Sequence, residues 1–504
     1  MPAPDPTATH FEAAALRQRS VHGSAAIFIA HGCRISLRFA SQIFIARLLV
    51  PADYGLIAML TPFMSLLQLV GDLGLGQTVI VRRDISGREI STLFWLGLGI
   101  NATLALLLAL TSPLIARIYH EPRLVMISLV LAALLPVSSL TTQHVALLNR
   151  NMRFGALAIL DIAPGALGLA AGISGAWSGW GYWSLVAGAV AETVGTVVIA
   201  FSFSPWWPSP PSNPARAWSS IKFGTHITVY NFANYATTSV SNLLLGITRG
   251  EVALGLYDRG YKLVGQPIAH LIMPINRVAI PLLTRLGPDE VRYQRAYLDM
   301  VNIMLLIGMP GILFAMVLAK PIVILLLGQR WAAVAPIFAW FCLGSLMSPI
   351  YSSAFWLFVT QGRASQQTYY VTVTSVIAVL SFVAGLPWGP VGVAAGGALS
   401  FVFLITPLVC WGATRAGVIT LATLARAWLP FLIAALATVG VLQLAKSYLA
   451  TNHVVFQLGL CLLIAYGTFP AVLLCLPDGN PVIRRAWHLG MLLTRHRQAL
   501  ATEI

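Results

Sequence analysis

Five basic residues fall inside apolar stretches long enough to cross a bilayer: Arg34, Arg38, Arg259, Lys262 and Arg277. A charge at that depth is costly and is kept where a partner, water or a ligand meets it. Arg34 and Arg38 are four residues apart, so on a helix they project from one face and repel each other unless an anion or water lies opposite. Asp258 and Lys262 share that spacing, which fits a structural ion pair and leaves Arg259 over. Guanidinium groups bind phosphate through paired hydrogen bonds. A cavity lined by these five cations, with Asp258 the one acid among them, therefore suits a multiply charged anion such as a diphosphate. Snorkelling to the membrane surface and local pairing are the competing explanations.

The acids of the spans are Asp72, Asp161, Glu192 and Asp299. An intramembrane carboxylate can carry a proton or a sodium ion that couples transport. Asp161 and Asp299 fall near the expected cytoplasmic ends of their spans, where solvation accounts for them. Glu192 is mid-span with no nearby base expected, which makes it, with Asp258, the coupling candidate. No cofactor beyond such an ion is expected, and no metal. There is no GxxxxGK[ST], HExxH or GxSxG, and the run Gly71-Asp72-Leu73-Gly74-Leu75-Gly76 follows no strand. That run suits close helix packing or a helix end. The five cysteines sit in apolar stretches without metal-ligand spacing, and neither disulfides nor zinc are expected.

The elements that must hold these groups are transmembrane helices. The chain of 504 residues is 58% hydrophobic and 9% charged, with mean hydropathy +0.80. Soluble domains run nearer roughly a quarter charged, so lipid must be the solvent here. A helix needs about 20 apolar residues to cross the hydrocarbon core. That ruler predicts an all-α polytopic protein of about fourteen spans, from 24–48 to 453–476. The least hydrophobic are 24–48, 219–246 and 252–281. Span 296–327 and span 252–281 carry prolines at Pro267, Pro274, Pro310 and Pro321, which should kink them or end them early.

The net charge of +15 belongs to short loops rather than to nucleic-acid binding. With a cytoplasmic N-terminus, nineteen of the 31 Lys and Arg lie on the cytoplasmic side, seven on the other and five in spans. That asymmetry predicts both termini inside a bacterial cytoplasmic membrane. Residues 1–23 read as a cytoplasmic lead-in with no cleavable signal. The Pro- and Trp-rich stretch 203–218 reads as a linker between two halves, 24–202 and 219–411. Helices 412–476 and a cytoplasmic tail 477–504 follow.

A shift of 200 residues aligns the first and seventh spans: Ser20 with Ser220, Ile27 with Ile227, and Gly55-Leu56 with Gly255-Leu256. Both copies show a polar span, a short loop, then Gly-Leu opening a long helix. An offset of six spans makes the repeats parallel, an arrangement found in secondary transporters whose substrate site lies between the halves.

Three segments carry a resemblance to a known family. They are Ala46-Arg47-Leu48-Leu49-Val50-Pro51-Ala52-Asp53-Tyr54-Gly55-Leu56, Gly74-Leu75-Gly76 with Val81-Arg82-Arg83-Asp84, and Leu254-Gly255-Leu256-Tyr257-Asp258-Arg259-Gly260-Tyr261-Lys262-Leu263, running on through Arg277 to Pro281. In order and spacing the chain resembles the Wzx-type oligosaccharide flippases of the multidrug/oligosaccharidyl-lipid/polysaccharide exporter superfamily. The resemblance implies a V-shaped pair of six-helix lobes with two further C-terminal helices. It implies a monomer that moves undecaprenyl-diphosphate-linked oligosaccharide between leaflets by alternating access, beside other polysaccharide assembly proteins. Arginines of the first and eighth spans hold the diphosphate in related flippases; Arg34, Arg38 and Arg259 occupy similar spans. The alternatives are a drug or cation exporter of the same superfamily, a membrane enzyme acting on lipid-linked sugars, and a non-transporting scaffold. A basic cavity argues against the first and short loops argue against the second.

Overall fold

The structure is a computed structural model that describes residues 32–72, 75–82, 85–211, 215–287, 289–415, 417–449 and 453–477; the side chains of Asp72, Val81 and 215–238 are outside the description. Among the described residues the chain is helical without a strand. In hydrocarbon a backbone must satisfy its own polar groups, and a helix does so within one segment. Helix α1 covers 32–48. After it come α2 (Pro51–Asp72), α3 (Leu75–Val81), α4 (Gly87–Tyr119), α5 (Arg123–Arg150), α6 (Phe154–Trp177), α7 (Trp183–Phe203) and α8 (Ala215–Leu286). The rest are α9 (Glu290–Val317), α10 (Ala319–Leu327), α11 (Val334–Ser345), α12 (Ser348–Thr360), α13 (Ala364–Gly385), α14 (Gly389–Ser400), α15 (Thr406–Thr414), α16 (Leu421–Tyr448) and α17 (Val454–Cys475).

Eleven helical runs among the described residues are long and apolar enough to cross a membrane, and the protein is a multi-pass membrane protein. The expected fourteen exceeds this number. Part of the first expected span lies outside the described residues, and two of the eleven runs, Ser239–Leu286 and Ala364–Thr414, have 48 and 51 residues. Each is longer than one crossing requires, because a helix rises about 1.5 Å per residue through a core of about 30 Å. Gly250 breaks the first of them at φ 76° and ψ −172°, a conformation that glycine adopts without strain. Pro267, Pro274 and Pro281 leave α8 helical. Pro310 likewise leaves α9 intact, whereas α9 ends at Val317 ahead of Pro321 and α10 restarts at Ala319, dividing the expected span 296–327.

The described chain divides into two compact units, one running to Tyr235 with Gly250–Val252, the other holding Ala236–Arg249 and Ala253 onward. Within the first, α6 and α7 pack through small residues. A Cβ on Gly168 would stand 2.9 Å from the Gly188 carbonyl oxygen and 3.0 Å from Glu192 Cβ, so these backbones meet only because glycine is there. Gly71 plays a similar part where α2 meets α4: a Cβ there would stand 2.6 Å from Asn101 Oδ1. The stretch after α7, expected as part of a linker, folds back on α4 and α5. Trp206 packs on Phe94 and His144, and the Ser209 amide donates to Ser91 Oγ. In the second unit Trp331, Trp356, Tyr293 and Tyr297 are fully buried. Asn276 Oδ1 accepts from Trp356 Nε1 and Ser352 Oγ, tying α8 to α12. The five cysteines are free.

Candidate functional site

Two clusters of charge stand within the spans, one in each unit. In the first unit, α1 presents Arg34 and Arg38 about 6 Å apart along its axis, the rise of four residues. Each meets a carboxylate from a different helix. Arg34 Nη1 donates to Asp161 Oδ1 of α6 at 2.9 Å, and Arg38 Nη2 donates to Glu192 Oε1 of α7 at 3.4 Å. The reading of Glu192 as a carboxylate with no nearby base is therefore corrected: Arg38, 154 residues away in sequence, is its partner. Asp161 is corrected likewise, from a solvated acid to the partner of Arg34. Both acids lie in the N-terminal halves of their helices. Asp161 is seven residues past Phe154 and Glu192 nine residues past Trp183, so each sits about 10–14 Å inside its span.

These pairs differ in tightness. The Arg34 and Asp161 side chains are about one third exposed, while Arg38 and Glu192 are 63% and 45% exposed. Charges at such depth are kept where water, a partner or a ligand meets them rather than hydrocarbon. The four groups sum to zero charge.

In the second unit Asp258 and Arg259 are buried and Lys262 is partly so. Asp258 Oδ2 takes Arg259 Nη2 at 2.9 Å and Lys262 Nζ at 2.9 Å, and Asp258 is 4% exposed, Arg259 8% and Lys262 31%. The expected pair of Asp258 with Lys262 is present, but Arg259 is not left over. The long guanidinium arm folds back to the adjacent carboxylate, a reach that the direction of its Cβ does not reveal. Gly260 lets α8 press on α11, where an added Cβ would stand 2.9 Å from Ile337 Cγ2. Tyr257 and Tyr261 both pack edge-on against Phe341. The triad carries one net positive charge. Arg277 lies about four turns beyond Lys262, exposed and outside it. Asp299 is half-buried on α9, and Asp72's side chain and His31 lie outside the description. Among the described residues no three His, Cys, Asp or Glu side chains gather as a metal site.

A third charged group of the first unit, joining the connection between α4 and α5 to α8, was not foreseen. Glu121, between α4 and α5, takes Nε and Nη2 of Arg123 at 2.6 and 2.7 Å. Arg123 also reaches Glu251 at 3.6 Å and lies 5.9 Å from the Tyr182 ring centroid. The Arg123 hydrogen bonds hold the Glu121 carboxyl below its ordinary value near 4.5. A depressed carboxylate stabilises the fold above its ordinary value and loses that contribution as pH falls through the depressed one. The Glu121→Gln variant should therefore melt slightly lower than the wild type at neutral pH, by the equivalent of about 0.5–1 kcal/mol for a partly exposed pair. The two should converge as pH drops below 4.5, a comparison made by thermal unfolding in detergent across pH.

Comparison with known proteins agrees with this architecture. A family model described as "Polysaccharide biosynthesis protein" matches residues 44–336, more than half of the chain. The chain is 23% identical over 341 residues to the lipopolysaccharide biosynthesis protein WzxC of Escherichia coli (strain K12), covering 66% of this chain and 68% of that one. It is 22% identical over 308 residues to the teichuronic acid biosynthesis protein TuaB of Bacillus subtilis (strain 168), covering 60% of this chain and 63% of TuaB. Its fold is similar to a solved structure of the lipid II flippase MurJ in an inward closed conformation, with a TM-score of 0.71 at 15% identity over 90% of this chain and 98% of that one.

Proposed function

This chain belongs to the polysaccharide biosynthesis protein family, and from that premise we propose that it flips undecaprenyl-diphosphate-linked oligosaccharide across a bacterial inner membrane by alternating access. The product would serve exopolysaccharide or lipopolysaccharide synthesis. The observation that carries the reading is the pair Arg34 and Arg38, one helical turn apart in a membrane helix and each meeting a partly exposed carboxylate. Such a pair matches the charge and spread of a diphosphate. Arg259, Lys262 and Arg277 are the candidate phosphate contacts of the second unit. The names of the relatives, which refer to cell-surface polymers, and the flippase with a similar fold support the same substrate class.

On this reading the protein is a transporter and not an enzyme. It works as a monomer with both termini cytoplasmic, the orientation supported by the Lys and Arg asymmetry of the loops. It acts on lipid-linked oligosaccharide supplied and consumed by other assembly proteins, and a proton or sodium ion, carried at Glu192 or Asp258, couples the cycle.

Removal of the gene tests the function. Undecaprenyl-diphosphate oligosaccharide should accumulate on the cytoplasmic leaflet, with surface polysaccharide lost and restored by the wild-type chain. Accumulation on the periplasmic leaflet would instead show translocation intact and place the protein at a later polymerisation or assembly step.

A further inference from the structure

We propose that Asp161 and Glu192 are internal competitors for the substrate: each holds an arginine of α1 in the empty protein and is displaced from it when the diphosphate binds. This rests on the reading that Arg34 and Arg38 hold that diphosphate, and it adds two specificity-determining residues to the site.

Charge sets the argument. Arg34, Arg38, Asp161 and Glu192 sum to zero, so the cluster as it stands offers an incoming dianion no net attraction. An added diphosphate must either share each guanidinium with a carboxylate, placing like charges side by side, or take the carboxylate's place. Geometry favours replacement. Arg34 meets Asp161 through Nη1 at 2.9 Å and Arg38 meets Glu192 through Nη2 at 3.4 Å, a long contact for a charged hydrogen bond and one that the two-pronged fork of guanidinium and phosphate can replace. Partly exposed ion pairs of this kind contribute little, whereas a bidentate guanidinium–phosphate fork adds a second charged hydrogen bond and fixes the geometry. Phosphate therefore wins the exchange, and the looser Arg38–Glu192 pair gives way first.

The carboxylates are also well placed to act as competitors rather than as passive neighbours. They stand on α6 and α7, whose backbones are locked together at Gly168 and Gly188, while the arginines stand on α1. A Cβ on Gly168 would meet Glu192 Cβ itself, so the acid is fixed by the same close approach that joins the two helices. A wrong anion with a single charge can take one arginine but not both, so the two acids raise the threshold for anything short of a diphosphate.

Binding of farnesyl diphosphate to the purified full chain in detergent is the test. Asp161→Asn and Glu192→Gln should each bind the probe about tenfold tighter than the wild type, and the double variant tighter still. Unchanged or weaker binding by both, with Arg34→Ala and Arg38→Ala weakened, overturns the competition and leaves the arginine site standing. Unweakened binding by the arginine variants overturns the underlying site as well. A second measurement needs no variant. Carbodiimide labelling of Asp161 and Glu192 in the wild-type chain, read by peptide mass spectrometry, should rise severalfold on adding the probe as the carboxylates are released. Labelling that stays level or falls overturns the proposal.

Discussion

Replacing Arg34 with alanine is expected to reduce surface polysaccharide at least tenfold while leaving the protein inserted and folded. The guanidinium would lose its charged hydrogen bonds to the diphosphate, worth about 1.5–3 kcal/mol, or roughly ten- to a hundredfold in transport. Lysine at the same position should recover part of the activity, since it keeps the charge but loses the planar fork. The same substitution also strips Asp161 of its 2.9 Å partner, and an orphaned carboxylate inside the membrane is itself harmful. The two explanations separate in the double variant Arg34→Ala with Asp161→Asn. If the damage comes from the orphaned acid, neutralising it restores transport. If Arg34 holds substrate, the double variant stays inactive while its stability in detergent returns to that of the wild type. Full polysaccharide output from Arg34→Ala alone would remove the arginine site from consideration.

That ambiguity marks where the sequence stopped being readable. The helical, membrane-spanning character was legible, because an apolar run of membrane length has one structural outcome in lipid, whereas the expected count of fourteen spans is not matched by the eleven runs among the described residues. The Asp258–Lys262 pair was legible too, since four residues on a helix fix the two side chains on one face. Gly71 was legible in kind as a point of close approach. The partners of Arg34 and Arg38 were not. They lie 127 and 154 residues away, on helices whose rotation about their own axes is set by packing at Gly168 and Gly188 rather than by any local periodicity. Glu192 looked baseless because no base stands near it along the chain. Arg259 was misjudged for a different reason. Adjacent residues on a helix point apart at Cβ, but the guanidinium sits far enough out to return to Asp258. The cluster of Glu121, Arg123 and Glu251 joins positions more than a hundred residues apart and has no signature of its own.

The Asp258→Ala variant should be the most damaging single change in the second unit. Asp258 is 4% exposed and neutralises two cations at once, through one oxygen. Removing it takes the carboxylate from buried Arg259 and from Lys262, which is about one third exposed, and breaking a buried pair in this way costs about 3–5 kcal/mol. Little folded protein should survive, as size-exclusion profiles in mild detergent would show. Lys262→Met should be far milder for the fold, because Arg259 and Asp258 still balance each other. A buried charge group can often be replaced whole by apolar residues of similar volume at no loss of stability. The triple variant Asp258→Leu, Arg259→Leu and Lys262→Met should therefore fold about as well as the wild type, and the assay of interest becomes transport. If the spare positive charge of the triad meets the diphosphate, the triple variant is stable and exports nothing. If it exports at the wild-type rate, the triad only packs α8 against α11, and substrate recognition in this protein rests on α1.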